Sequence, residues 1–177
     1  MPLGALAALA LLLCSLPAAA VVVDIDARDN TPATPVEVSL DAGAYTLVPV
    51  DVAGGGAYTA TNFWDIVERC DEAGGDCRYG WIWQYVFASD SLPETQVVAD
   101  GRWATPELAF ANAFETSFDL YEPETLRLYF IDNPYDDNLG GVSLDVVLVP
   151  EPGRAALVLV GALGLAASSL LSRPRAS

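Results

Sequence analysis

Thr125-Leu126-Arg127-Leu128-Tyr129-Phe130-Ile131-Asp132-Asn133-Pro134-Tyr135-Asp136-Asp137-Asn138-Leu139-Gly140-Gly141-Val142-Ser143-Leu144-Asp145-Val146-Val147-Leu148 is the stretch that decides the fold. Two runs of apolar, β-branched and aromatic residues flank a segment dense in carboxylates, amides and glycine. Such runs bounded by turn formers read as strands. The first strand is expected to end at Asp132 and the second to restart at Val142, as a closing hairpin around a tight acidic loop.

Working outward, the same grammar repeats. Val36-Glu37-Val38-Ser39-Leu40 alternates polar and apolar, and Asp41-Ala42-Gly43 turns the chain. Tyr45 to Val50 follows as a strand whose Pro49 suggests an edge or a bulge. Gly54-Gly55-Gly56 interrupts, Tyr58 to Trp64 resumes an extended aromatic segment, and Gly80 to Phe87 is strongly strand-like. Period two places Trp81, Trp83, Tyr85 and Phe87 on one face of that strand, more as core than as a ligand platform. Thr105 to Phe114 offers the one helix, with Thr105 as cap, Pro106 in the first turn and Glu107 after it. Thr31-Pro32-Ala33-Thr34-Pro35 reads as a stiff lead-in. The fold class predicted is all-β: a single jelly-roll-like β-sandwich with one short helix.

The two ends of the chain concern destination. Leu3 to Leu16 is apolar, Pro17 breaks it, and Ala18-Ala19-Ala20 is a small-residue cleavage site. Residues 1–20 therefore read as a secretory signal peptide, and Cys14 leaves with it. At the other end Val149-Pro150-Glu151-Pro152 precedes a 17-residue uncharged run, Ala155 to Leu171, and then Arg173-Pro174-Arg175. At about 1.5 Å per residue this run is at the lower limit for crossing a bilayer as a transmembrane helix. The arginines would hold that end in the cytoplasm. The order of motif, apolar span and basic end resembles the sorting tail of PEP-CTERM proteins. The resemblance implies export, transient anchoring in the inner membrane through residues 150–177, and cleavage by an exosortase near the motif. The mature protein would then lie at the cell surface or in the extracellular matrix.

What remains, residues 21–149, is the size of one domain with its own core. Its charge is lopsided. Five arginines (Arg28, Arg69, Arg78, Arg102, Arg127) face 23 carboxylates, the chain's 24 less Glu151, for a net charge of −18 with no lysine and no histidine. That balance repels nucleic acid and anionic membranes. It suits hard cations with oxygen ligands, and equally it keeps a secreted protein soluble. Cys70 and Cys77 flank a Gly-Gly turn, and in an exported chain they point to one disulfide closing a small loop. In the chain-entropy account such a loop adds about 2–3 kcal/mol.

Enzyme chemistry finds little purchase. Without histidine the Ser-His-Asp and Cys-His arrangements are closed, and so is histidine-ligated zinc. There is no P-loop, no G-x-G-x-x-G and no CxxC. Carboxylate pairs such as Asp132 with Asp136 or Asp137 would suit glycoside hydrolysis on spacing, but among 23 carboxylates such pairs arise by chance.

The segment from Phe130 to Leu144 resembles the calcium loop of small β-sandwich lectins of the galactophilic PA-IL type. Both have an acidic residue at a strand end, an Asn/Asp pair, a small-residue turn and a strand beginning S-x-V-like. The resemblance covers about 20 residues and a general strand order. It implies Asp132 as the first carboxylate ligand and Asp137 with Asn138 as the paired side-chain ligands of a calcium ion. A backbone carbonyl near Pro134 or Tyr135, and the Tyr58 carbonyl from an early loop, would complete the set. This loop is shorter than the lectin pattern, and Asp137 stands where those lectins usually have asparagine. The other reading is a plain turn, with Asp136, Asp137 and Asn138 capping the backbone and Gly140-Gly141 supplying positive φ. Aromatic rings near turns, Trp64, Trp103 and Tyr135, are the candidates for stacking on carbohydrate, which would make an extracellular polysaccharide the partner. The competing class is a structural component of a polymer layer without a small ligand.

Overall fold

The computed structural model describes residues 20–150. Of the expected signal peptide 1–20, residues 1–19 lie outside the described residues, and so does the expected sorting tail beyond Pro150 with its membrane helix. Among the described residues no helix is long and apolar enough to cross a membrane.

The described chain forms nine strands and one short helix: β1 (Val21–Asp26), β2 (Val36–Leu40), β3 (Gly43–Val50), β4 (Thr61–Asn62), β5 (Gln84–Ala88), β6 (Thr95–Val98), α1 (Pro106–Phe110), β7 (Thr116–Leu120), β8 (Glu124–Tyr129) and β9 (Leu139–Leu148). They build two antiparallel sheets. One has the order β1-β9-β3-β7, with β4 paired to the start of β9, and the other has the order β2-β8-β5-β6. The fold is all-β.

Period two builds the core between the sheets. Val23 and Ile25, Tyr45 and Leu47, Phe118 and Leu120, and Val142, Leu144 and Val146 come from the first sheet. Tyr85, Phe87, Val97, Leu126 and Leu128 meet them from the second, joined by Trp83 and Phe130, which stand just outside β5 and β8. Tyr45 and Phe118 stack at 5.6 Å, and Phe118 reaches Phe87 across the core at 5.6 Å. Trp83, wholly buried, stands edge-on to Tyr85 and to Phe110 of α1. The predicted face of Trp83, Tyr85 and Phe87 is thus core. Trp81 differs: it is half-exposed and pairs its backbone with Trp103.

Several boundaries move, for local reasons. The strand read from Gly80 begins at Gln84, because Trp81 and Ile82 spend their backbone groups on single bridges to Trp103 and Thr61. Only Thr61–Asn62 of the Tyr58–Trp64 segment is a strand. The helix is shorter than expected. Thr105 caps it, accepting from the Leu108 N–H, but Asn112 turns its backbone N–H to Ala109 and its side-chain amide to the Leu108 carbonyl, which ends the turn. Pro49 lies in a strand flanked on both sides, yet β7 pairs β3 only as far as Leu47, so the missing N–H faces no neighbour there. Thr31–Pro35 is a connection between β1 and β2 and not a lead-in. The expected closing hairpin is absent: β8 and β9 belong to different sheets, so the acidic segment crosses from one sheet to the other.

Trp83→Ala should destabilise the domain by about 3–5 kcal/mol, the range for emptying a large aromatic site in a packed core. Urea unfolding followed by fluorescence measures it. A loss under about 1 kcal/mol would mean that the two sheets do not meet on this ring.

Candidate functional site

The strand registers sort the connections by end. Asp26 at the end of β1 lies opposite Gly141 near the start of β9, and Val98 at the end of β6 lies opposite Gln84 at the start of β5. The long connections 27–35, 51–83, 99–115 and 130–138 therefore gather at one end of the sandwich, and the short ones, 41–42, 89–94 and 121–123, at the other. Tyr58, Trp64, Cys70, Cys77, Trp103, Asp132, Tyr135, Asp137 and Asn138 all belong to the long-loop end.

The crossing segment is anchored from β1's side. Phe130 is buried and donates its N–H to the Asn30 carbonyl. Asn138 is 1% exposed; its Nδ2 donates to the Ala27 carbonyl at 2.9 Å, and its own carbonyl accepts from the Arg28 guanidinium at 2.9 Å. Its N–H turns back to the Tyr135 carbonyl at 3.2 Å. Tyr135 is half-buried, with its hydroxyl 3.4 Å from the Phe130 carbonyl. Asn133–Pro134 is a cis peptide bond.

Three oxygens of this segment stand out. Asp132 Oδ2, Asp137 Oδ1 and Asn138 Oδ1 are each closed off from solvent and accept no hydrogen bond among the described residues. They belong to the three residues that the lectin resemblance marks as side-chain ligands. Buried acceptors left without donors are rare in folded proteins and cost about 1–3 kcal/mol each. A plain Asx turn would spend these oxygens on backbone N–H groups; among the described residues Asp136, Asp137 and Asn138 cap none. Among the described residues no three Asp, Glu or Cys side chains gather closely enough to hold a metal by themselves. An ion here would rest on two carboxylates, one carboxamide and backbone carbonyls.

The glycines after the segment do two jobs. Of the two glycines expected to supply positive φ only Gly140 does, at +71°; Gly141 is needed instead for close approach, since a Cβ there would collide with the Ile25 carbonyl and stand 3.0 Å from the Tyr58 ring. Tyr58 thus lies flat on the start of β9. Its hydroxyl donates to Asp26 Oδ2 at 2.6 Å and its N–H donates to Ser143 Oγ at 2.9 Å. Burial alone would raise the Asp26 carboxyl. The hydroxyl of Tyr58, the N–H groups of Arg28 and Asp29 and the Arg28 charge outweigh it and hold the group below its ordinary value. The same hydrogen bond, with burial and the charges of Asp26, Asp24 and Asp29, pushes the Tyr58 phenol up to about 12.

The aromatic candidates divide. Trp64 and Trp103 stand by the Cys70–Cys77 loop, whose two sulfurs are bonded. Trp64 is half-buried, edge-on to Phe63 and Tyr79, and the Arg102 guanidinium lies over its ring at 4.6 Å. Trp103 packs on Gly75 and Gly101. Tyr135 stays on the crossing segment, linked to Trp64 only through Phe130 and Phe63, whose rings are 5.9 Å apart. The Arg102–Trp64 stack was not read from the sequence; the scarcity of arginine beside so many carboxylates was the available signal. Comparison with family models, with curated proteins and with solved structures matched nothing to this chain.

A phenol with a raised folded pKa adds stability that is complete below its ordinary value and is lost as pH climbs through the folded one. Between pH 10 and about 12 the domain should therefore lose stability in part through Tyr58. Tyr58→Phe should flatten that part of the pH profile in denaturant titrations. A profile unchanged from wild type across this window would show that the Tyr58–Asp26 bond carries none of it.

Proposed function

We propose that this is an exported, exosortase-sorted surface or matrix protein whose single domain, a jelly roll, binds calcium at the 130–138 crossing and presents carbohydrate-binding aromatics at the same end. The jelly-roll reading is supported by the strand orders β1-β9-β3-β7 and β2-β8-β5-β6, in which the chain passes back and forth between the sheets. Sorting is supported by Pro150-Glu151-Pro152, the apolar span and the terminal arginines.

The observation that carries the calcium reading is the set of three buried, unpartnered oxygens on Asp132, Asp137 and Asn138. Calcium takes six to eight oxygens in adaptable geometry, mixing carboxylate, carboxamide and carbonyl donors. Here it would supply a partner to acceptors that have none among the described residues, and offset carboxylate repulsion in a domain of net charge −18. Arg28 and Ala27 hold Asn138 in place from the β1 side, so its free oxygen is set before any ion arrives.

An ion that binds only the folded state stabilises it by RT ln(1 + [L]/Kd), about 2.7 kcal/mol at a hundredfold excess over Kd. Thermal unfolding with calcium, with magnesium and at matched ionic strength tests this. Calcium should raise the melting temperature more than magnesium, which demands stricter octahedral geometry. Asp137→Ala should abolish the calcium-dependent shift and leave calcium-free stability unchanged or improved. No shift beyond the ionic-strength control would reduce the segment to a turn.

A further inference from the structure

We infer that a neutral, hydroxyl-rich sugar binds in the cavity between Asp76, Asp100 and Arg102, and that it does so without an ion. The inference rests on the carbohydrate part of the function proposed above, and not on its calcium part.

The wall of this cavity is built rigidly. Beyond β6 the chain turns at Gly101, with φ +84°, and the Trp103 ring lies 3.5 Å from where a Cβ of Gly101 would stand. On its other flank the same ring meets Gly75, at 3.1 Å from the position of a Cβ there. The Cys77 N–H donates to the Arg102 carbonyl at 3.1 Å and the Ala104 N–H to the Gly74 carbonyl at 2.8 Å. The disulfide loop and residues 101–104 are thus stitched together, and a ligand would find its contacts already ordered.

Arg102 is the informative residue. Among the described residues the sole ion pair is Arg127 with Asp90 at 3.0 Å, so Arg102 lacks a carboxylate partner in a domain that carries 23 of them. Its buried Nε–H donates to no acceptor either, and the ring of Trp64 holds its guanidinium plane. The cavity of about 380 Å³ then offers donors from Arg102, acceptors from Asp76 and Asp100, and an apolar floor from Ile82 and Val98. Free donors, free acceptors and apolar surface side by side match a sugar, whose hydroxyls both donate and accept and whose C–H face is apolar.

Charge selects within that class. A uronate would meet Asp76, Asp100 and the net charge of −18. A cationic ligand would be served better by the hollow of about 730 Å³ at the opposite end, where Asp41, Asp90, Glu122 and Glu124 stand together and no arginine lines the wall. None of the residues lining the Arg102 cavity comes from the 130–138 crossing, so a chelator should leave the sugar bound.

The full-length chain on an array of neutral hexose and N-acetylhexosamine oligosaccharides, with oligogalacturonates alongside, tests this in calcium and in EGTA. The expected result is binding to neutral sugars that survives EGTA and falls about tenfold or more in Arg102→Lys and in Asp100→Asn, a loss of the size that follows when one partner of a sugar hydrogen bond is removed. Near-ultraviolet circular dichroism checks that both variants keep the native fold, and Asp100, being exposed, should tolerate the change. Preference for oligogalacturonates, absence of neutral-sugar binding, or no effect of either variant would overturn the inference. So would binding abolished by EGTA, which would move the sugar to the ion-binding segment. A missing calcium effect on melting leaves this assay unaffected, so the two readings fail separately.

Discussion

The wholly buried side chain of Asn138 is the constraint on which this end of the molecule depends. Burying a carboxamide costs several kcal/mol unless its donors and acceptors are met. The Ala27 carbonyl meets the Nδ2 group and Arg28 meets the backbone carbonyl, so the β1–β2 connection and the β8–β9 crossing are pinned to one another. That pin lets β8 leave one sheet and β9 enter the other without a hairpin between them. It also fixes the one atom of the side chain that remains without a partner, Oδ1. Packing on one side and an open valence on the other is the arrangement from which the calcium reading follows.

The Arg102 region is organised differently. There the rigidity comes from a covalent bridge, two glycines pressed under an indole, and a guanidinium resting on a second indole. The crossing segment concentrates unpartnered acceptors, whereas the disulfide region leaves donors and acceptors side by side. A cation suits the first and a neutral polyol the second, so the long-loop end holds two chemistries that need not be coupled.

How much of this was legible in the sequence depends on the range of the interaction. Alternation in Val36–Leu40 is a local signal and that strand forms as read, while of the Trp81-Trp83-Tyr85-Phe87 face the last three side chains enter the core and Trp81 does not. Thr105 as a cap is equally local, and its side chain does accept from Leu108. Three strands escaped, β1, β6 and β7. Val21–Asp26 lies ahead of the Thr31–Pro35 segment read as a lead-in, while Thr95–Val98 and Thr116–Leu120 are short edge strands with weak patterns. The hairpin between β8 and β9 was misread because a strand, an acidic turn and a strand look the same whether the second strand pairs with the first or crosses to another sheet. Only the pairing of β9 with β1 and β3 decides it.

The site follows the same division. Asp132, Asp137 and Asn138 could be named from residue type and order, but the burial of Asn138 depends on Ala27 and Arg28, about 110 positions away. Trp103 lay near a turn and was read as a surface ring, yet two glycines bring the backbone close enough to bury much of it. The most direct test of the central claim is a crystal structure grown in calcium. The account predicts a calcium peak with Asp132, Asp137 and Asn138 side-chain oxygens at about 2.3–2.6 Å from it. A well-ordered crossing segment with no such peak, its three oxygens bonded instead to water or to backbone N–H groups, would contradict it.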